Sequence, residues 1–436
     1  MAALPIVTVP HPVGGLRPGE VEKKADQVLE DVIQALLGGA RKTGGEESAA
    51  RLRKKPLKAK SLFAPSAADS SSPEGDERVM VADNPETIFQ LFLARGWMDG
   101  LPFIPPKEDR VARMLAYADR DPKEVVALLP PRWGEATVGK IAVNAVMAGC
   151  LPQYLPVVMT AVSAMAEETF NLYAVQATTH PCSPLILVNG PVAKELNING
   201  RYNALGQGWR ANATIGRAVR LILLNIGGGE PGVLDRATLG QPGKYSYCLA
   251  ENEAENPWMP LHVEKGFSKE ESTVTVFGAE APHNLNDHRS TTARDILKTI
   301  AHSIAIPGCN NALTGGEFLL LLGPEHAATI AGDGFSKEDV KKFLYEEARV
   351  PVEHFPSVSW KWISQMRPHW KDVIEKKGKI PLVDRWEEIQ VAVAGGAGKH
   401  SAFMPTFGAT KPVTKAIARK DGRPVRSIKE FKKEKT

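Results

Sequence analysis

The sequence predicts an α/β fold with mixed, partly parallel sheets and flanking helices, preceded by a strand-helix arm and a flexible linker. From residue 78 onward, short apolar runs typical of buried strands alternate with longer segments of helical periodicity. The chain has 436 residues, of which 43% are hydrophobic, and this is enough for two or three domain cores. We therefore expect an arm (1–38), a linker (39–77) and a main region (78–436) with subdomains 78–270 and 271–436.

The arm begins with LPIVTVPHPVGGL, which predicts a short strand and a turn. The next segment predicts a helix that ends at Gly38, since its apolar residues follow helical spacing: Val21, Ala25, Val28, Leu29, Val32 and Leu36. One strand and one helix cannot form a core, so this unit must dock on the main region or on another chain.

The linker is rich in Lys, Arg, Ser, Pro, Gly and Ala and has few large apolar residues. Its basic run RLRKKPLKAK has two interpretations, a solvated segment or a docking segment for an acidic partner.

Helices and strands of the main region follow from caps and periodicity. Asn84 and Pro85 are typical of a helix start, and Ser336 with Asp339 has capping-box spacing at another. We predict further helices from Lys107 onward and at 137–148, 155–168, 213–226 and 290–304. Strands are predicted at 185–190, 245–250, 273–278, 318–323 and within EIQVAVAGGAG, 388–398.

Composition excludes several classes of protein. The net charge of +4 is far below that of a dedicated nucleic-acid binder, and no apolar run approaches the roughly 20 residues that span a bilayer. The N-terminus does not resemble a secretory signal, so a cytoplasmic location is expected. The four cysteines form no CxxC pair, which argues against a zinc knuckle or a dithiol redox motif.

Two glycine-containing segments are candidate anion sites. In NALGQGWRANATIGRAVRLILLN, Arg210, Asn212 and Arg217 lie around a predicted helix start, where free backbone N–H groups favour phosphate or carboxylate; a structural turn is the alternative. VAVAGGAGKH is not a Walker A motif, because Val393 and His400 replace the required Gly and Ser/Thr. The interpretation that a glycine nest beside Lys399 holds an anion stays open.

Two segments place thiols near bases. His180 and Cys182 would share a face of an extended segment, which suits a metal or a thiolate–imidazolium pair, or a purely structural role. In KYSYCLAENE a strand from Tyr245 to Ala250 would put Lys244 and Cys248 on one face and Tyr247 on the other.

Carboxylates and a histidine follow that second segment. Glu251 and Glu253, with His262 and Cys248, form a possible N/O/S metal site of no strong signature, and a structural interpretation stays open.

Polar loops near the predicted strands add further candidates. His283, Asp287, His288 and Arg289 lie between a strand and a helix, where α/β proteins often place substrate-binding groups; helix capping is the alternative. His326 also follows a strand and opens a helix.

Several motifs resemble a bacterial family related to the UGSC (selenocysteine or cysteine) proteins: DGLPFIPP, GPVAKELNING, RANATIGRAVRLILLN, GQPGKYSYCLAENEAENPW and LLGPEHAATIAGDGFSKEDVKKFL. Residues 4–37 resemble the C-terminal end of a UGSC-type domain without its Cys- or Sec-bearing motif. The resemblance implies a split enzyme, in which a UGSC-type partner binds residues 1–38 and supplies the thiol or selenol. UGSC domains are similar to the selenoprotein subunit of glycine-reductase-type enzymes, which implies cleavage or reduction of a small substrate.

Three hypotheses follow. In the first, a thiol-dependent complex uses Cys248, Lys244, Glu251 and His180 in catalysis and binds an anionic small molecule through Arg210, Asn212, Arg217, Tyr247, His288 and Arg289. In the second, the chain alone is a metal-dependent hydrolase or lyase with a transition metal on His180, Cys182, Cys248 and His262. In the third, it is a non-catalytic scaffold. The sequence names no cofactor.

Overall fold

The computed structural model describes residues 18–36 and 78–431, and the chain divides into two compact units, residues 1–64 and 65–436. The first unit contains helix α1, Pro18–Leu36, which confirms the helix predicted for the arm. Leu29 is 54% exposed and Ile33 38% exposed on α1. The predicted strand of the arm and the linker 39–77 lie outside the described residues.

The second unit contains the helices of the main region. The first group is α2 (Pro85–Ala94), α3 (Glu108–Leu115), α4 (Val138–Ala148), α5 (Leu155–Met165), α6 (Leu172–Ala177), α7 (Pro191–Glu195) and α8 (Arg210–Asn225). The second group is α9 (Leu261–Glu264), α10 (Ala293–Ile304), α11 (Asn310–Thr314), α12 (Pro324–Gly332), α13 (Lys337–Glu347), α14 (Ser357–Met366) and α15 (Lys371–Lys377). No helix among the described residues is long and apolar enough to cross a bilayer.

Two four-stranded sheets organise this unit. Sheet 1 has the order β12 (Val413–Ala416), β5 (Thr273–Ala279), β3 (Ser183–Asn189), β4 (Cys248–Ala250). Sheet 2 has the order β10 (Ile389–Val393), β7 (Phe318–Leu322), β11 (His400–Met404), β6 (His283–Asn286). The pairs β3–β4 and β10–β7 are parallel and the other pairs antiparallel. Two short antiparallel pairs complete the strands: β1 (Val125–Leu129) with β2 (Gly134–Thr137), and β8 (Arg349–Pro351) with β9 (Lys379–Pro381).

Side-chain alternation along the strands reveals four layers. In β3, Ile186 and Val188 pack with α4, α5 and α8, whereas Leu185 and Leu187 join a second cluster that contains side chains of β7 and β10. In β7, the alternate residues Phe318, Leu320 and Leu322 pack with α10, α12 and α13. Because successive residues point to opposite faces of a strand, the two sheets pack face to face between two helical layers.

The structure confirms the α/β class and its mixed, partly parallel pairing. Strands β5 and β12 follow residue 270, yet β5 pairs with β3 and β12 with β5. Sheet 1 therefore contains strands from both sides of the predicted boundary at 270/271. The Asn84 cap and the Ser336–Asp339 capping box are confirmed.

The strand predicted from Tyr245 to Ala250 is too long by three residues. A 3₁₀ turn occupies Pro242–Lys244, and pairing with β3 begins only at Cys248. The predicted face shared by Lys244 and Cys248 therefore does not exist. Sequence patterns also missed β1, β2, β6, β8, β9, β11 and β12. All seven are short, and all except the apolar β1 contain polar residues without a strong period.

Candidate functional site

A histidine and a glutamate meet at the edge of sheet 1 where β3 begins and β5 ends. These strands are antiparallel, with Ser183 opposite Ala279. His180 lies three residues before Ser183 and Glu280 directly follows Ala279, so the register brings the two side chains together. His180 Nε2 and Glu280 Oε1 are 2.7 Å apart, and the side chains are only 14% and 21% exposed.

The contacts of the imidazole fix its orientation and tautomer. The ring of His180 stacks on Phe407, with centroids 5.2 Å apart. The Glu280 carboxylate accepts a hydrogen bond, so Nε2 carries the proton and neutral His180 presents a lone pair at Nδ1. Nδ1 is shielded and has no hydrogen-bond partner among the described residues. A substrate reaches this nitrogen only after a local movement.

Tyr247 supports the glutamate of this pair. Its hydroxyl donates to the Glu280 backbone carbonyl, 2.8 Å away, and burial raises the pKa of the Tyr247 phenol. Gly216 allows helix α8 to lie close to the backbone of Tyr247, because a Cβ at residue 216 would lie 2.5 Å from the backbone N of Tyr247. Tyr247 is therefore a neutral donor that holds the backbone of Glu280 in place. Direct contact of Tyr247 with substrate stays a prediction.

A largely buried ion pair lies at the same edge. Lys244 Nζ contacts both carboxylate oxygens of Asp235, at 2.7 and 2.6 Å, and the side chains are 16% and 10% exposed. Burial lowers the pKa of Lys244 and Asp235 opposes that shift. Arg220 of α8 donates to the Lys244 carbonyl and to the Ser183 hydroxyl, so it ties this turn to β3. Lys244 is held as a paired cation.

The thiol beside Lys244 is Cys182, not Cys248. Burial raises the pKa of Cys182 to about 12; Lys244 acts against the shift, whereas Glu280 and Asp235 add to it. His180, Glu280, Lys244, Asp235 and Cys182 thus form one group of titratable side chains, which we call the β3 entry cluster. Burial shifts the pKa values of Lys244 and Cys182 in this cluster, and buried titratable groups with shifted pKa values are typical of functional sites.

Cys248 has a different environment from the one expected of a nucleophile. It is 5% exposed within the helix-facing core, and burial raises its pKa, with Cys150 as the second cause. A protonated thiol without a neighbouring base is a poor nucleophile. These surroundings favour the structural interpretation of Cys248.

Glu251 lies at the opposite end of sheet 1, where it joins several segments. Its carboxylate accepts hydrogen bonds from the Asn189 and Asn256 side chains and from the Leu261 backbone N. Burial raises the pKa of Glu251, and Lys337, the Leu261 N–H and the Asn189 side chain oppose the shift. Both carboxylate oxygens of Glu251 accept hydrogen bonds, so this arrangement favours a structural role over proton transfer.

His262 lies near that same end. It is fully buried, its Nδ1 is 4.0 Å from Glu253 Oε1, and neither ring nitrogen has a hydrogen-bond partner among the described residues. Burial lowers its pKa.

The four residues predicted to bind one metal do not converge. His180 and Cys182 precede β3, whereas His262 neighbours Glu253, whose carboxylate binds the backbone N of Gly190 beyond the far end of that strand. A seven-residue strand separates these ends by about 20 Å. Within residues 18–36 and 78–431, no group of three or more His, Cys, Asp or Glu side chains is arranged to hold a metal ion. The prediction that these four residues bind one metal ion was therefore wrong.

Residues predicted to bind an anion at α8 mostly bind protein atoms. Arg217 forms a bidentate pair with Asp99, at 2.7 and 2.8 Å, and also donates to the Leu101 and Pro102 carbonyls. Asn212 is buried and fastens the loop at Asn199 and Ala204. The prediction that Arg217 and Asn212 hold substrate was therefore wrong for this conformation, because these contacts use their polar groups. Arg210 is exposed and donates one hydrogen bond, to Gly149.

The predicted loop residues His288 and Arg289 belong to sheet 2 and are exposed. They follow β6, whereas the β3 entry cluster belongs to sheet 1, so the predicted substrate-binding set is distributed over both sheets. His326 is buried, where its Nδ1 contacts the Ser401 hydroxyl and its Nε2 the Asp287 carbonyl, which favours its structural interpretation.

In the predicted glycine nest after β10, two backbone N–H groups donate hydrogen bonds to other parts of the chain. The N–H of Gly395 donates to the Gly200 carbonyl and that of Gly398 to Glu325 Oε1. These amides are not available to an anion in this conformation.

Sequence reasoning missed Glu280 and Asp235. Glu280 lies two residues after the predicted strand 273–278, and antiparallel pairing of that strand with strand 185–190 would have pointed to it. Asp235 lies in an irregular loop, and no periodic signal identifies it.

A comparison of the chain with protein-family models found no matching family, and a search of curated proteins found no similar protein. The resemblance to UGSC-related proteins rests on the motifs quoted above and stays a prediction.

Proposed function

We propose that this chain is a subunit of a hetero-oligomeric, thiol-dependent enzyme that cleaves or reduces a small metabolite. In this proposal a UGSC-type partner supplies the reactive thiol or selenol, and this chain supplies proton transfer from the β3 entry cluster. The observation that carries it is the His180–Glu280 pair, a base oriented by a carboxylate with its second nitrogen unpaired.

The His180–Glu280 pair suits general acid–base catalysis. Glu280 fixes the tautomer and stabilises the imidazolium that forms when Nδ1 accepts a proton. Phe407 restricts the movement of the His180 ring and Tyr247 holds the backbone of Glu280, which reduces the entropy lost on reaching a reactive geometry. This role replaces the proton transfer expected of Glu251.

The cysteines of this chain support an external thiol. All four are buried, and burial raises the pKa of each thiol far above neutrality. The thiolate is the reactive form, so none of these residues is a resident nucleophile in this conformation. Thiol chemistry at this site therefore requires a thiol from a partner or a substrate.

Helix α1 is the proposed contact with that partner. Its apolar residues Leu29 and Ile33 are partly exposed, and an amphipathic helix without a covered apolar face is a common recognition element. Docking of residues 1–38 on a UGSC-type subunit would cover this face and hold that subunit in the complex.

Kinetics of the reconstituted complex test this proposal. Full-length chain co-expressed with a UGSC-type protein is assayed with dithiothreitol and two-carbon carboxylates that carry amino, thio or halo substituents. We expect His180→Gln and Glu280→Gln to lower kcat by roughly 10²- to 10⁴-fold while the complex still assembles. His302→Gln is the matched control, since His302 is an exposed helical histidine outside the site.

Unchanged turnover in both site variants would refute the acid–base role. If the wild-type complex assembles but no variant in the β3 entry cluster changes its turnover, the scaffold hypothesis is correct instead.

A further inference from the structure

Two exposed histidines lie together at the outer edge of sheet 2, away from the β3 entry cluster. Strand β6 is the edge strand and pairs with β11 in antiparallel register, with His400 opposite Asn286 and Ala402 opposite Asn284. His288 follows β6 by two residues. The register therefore brings two imidazoles and two amides into one polar patch.

Each imidazole is oriented by an asparagine. His288 Nδ1 binds the side-chain oxygen of Asn286, and His400 Nδ1 binds that of Asn284 at 2.9 Å. An amide oxygen only accepts hydrogen bonds, so Nδ1 carries the proton in both neutral rings. Each Nε2 is then left with a free lone pair. Histidine metal ligands commonly have this arrangement, in which the second ring N–H is held by an oxygen atom.

The spacing of the two rings fits a shared ion. Their centroids are 4.9 Å apart and the ring planes are inclined by 77°. Two imidazoles on one tetrahedral zinc ion, with Zn–N bonds of about 2.0–2.1 Å, have centroids about 5 Å apart. The centroid spacing of the pair therefore matches that of two imidazoles bound to one ion.

We propose that His288 and His400 bind one divalent transition-metal ion through their Nε2 atoms, with Asn286 and Asn284 as orienting residues. Imidazole ligands favour zinc, copper and nickel over magnesium or calcium. No third His, Cys, Asp or Glu of the described residues completes a larger group. Water or an exogenous ligand fills the remaining positions, which makes the ion available as a Lewis acid.

Charges around the patch are mixed. Asp287 precedes His288, and its carboxylate accepts hydrogen bonds from Arg289 N, Ser290 N and Ser290 Oγ, so it turns the loop without joining the ligands. Lys399 Nζ is held by the Ser290 carbonyl. Arg289 is exposed. The two cations weaken the attraction for a metal ion, so we expect a site of moderate affinity that depends on both histidines.

Calorimetric titration of the full-length chain with Zn²⁺ tests the proposal. We expect His288→Ala and His400→Ala each to raise Kd at least 10-fold, and Asn284→Ala to raise it roughly 10-fold through loss of the orienting amide. His283→Ala is the matched control, because His283 is exposed on β6 but lies on the opposite face from Asn284 and Asn286. It should bind as the wild type does.

Electron paramagnetic resonance of the Cu²⁺-loaded chain counts the ligands directly. We expect coupling to two imidazole nitrogens, reduced to one in His288→Ala. Zinc binding that is unchanged in both His288→Ala and His400→Ala would overturn the proposal. A His283→Ala variant that weakens binding as much as they do would also overturn it, since the ion would then be distributed over surface histidines.

Discussion

At the scale of single residues, burial decides which predicted groups are reactive. Cys248 was predicted to be catalytic and Cys182 to bind a metal or pair with His180, yet the first lies in an apolar core and the second beside Lys244 and Glu280. His180 pairs with Glu280, which directly follows a strand about a hundred residues later in the chain. Residue type was readable from sequence, whereas the partner of each residue depends on tertiary contacts.

Thiol reactivity follows from these environments. Burial raises the pKa to about 12 for Cys150 and Cys182, to about 11 for Cys309, and also raises that of Cys248. The thiols are therefore protonated at all pH values well below these, and at pH 8 roughly one in a thousand or fewer is a thiolate.

We expect that 5,5′-dithiobis(2-nitrobenzoate) at pH 8 labels no cysteine of the native chain within minutes and labels four in guanidinium chloride. The unfolded chain is the internal control for reagent quality. Rapid labelling of a native cysteine, identified by peptide mass spectrometry, would locate a reactive thiol in this chain and remove the main argument for an external one.

At the scale of elements, helix α8 shows what periodicity predicts and what it does not. Its apolar residues predicted a helix over 213–226, and the structure has one at Arg210–Asn225. Polar residues on the same helix were read as substrate ligands, but Arg217 closes the DGLPF turn through Asp99 instead. Local spacing contains no information about a turn more than a hundred residues away.

Arg217→Gln should destabilise the fold. The change leaves the Asp99 carboxylate, 6% exposed, without its cation, and loss of one partner of such a pair costs about 3 kcal/mol in the free energy of unfolding. Arg210→Gln is the matched control, since its exposed side chain makes one neutral hydrogen bond and should cost less than about 1 kcal/mol. Urea denaturation followed by circular dichroism measures both. Equal stability of the two variants would contradict the structural role of Arg217.

At the scale of the whole molecule, the class of fold was predictable and the layering was not. Continuous apolar runs such as LILVN and FLLLL indicate strands buried on both faces, which a sheet between a helical layer and a second sheet requires. The order of strands depends on long-range pairing, such as β12 with β5, for which a single sequence has no signal. The same limit applies to the site, because β3 and β5 bring His180 and Glu280 together only through their register.

We propose that this chain works with a UGSC-type partner that binds through residues 1–38. Native mass spectrometry of the full chain and of a chain without residues 1–38, each co-expressed with a UGSC-type protein, tests it most directly. We predict a stable hetero-oligomer with the full chain and its loss on truncation, while the truncated chain keeps a cooperative thermal unfolding transition. A partner that binds both forms equally, or a full chain that assembles only with itself, would contradict the account.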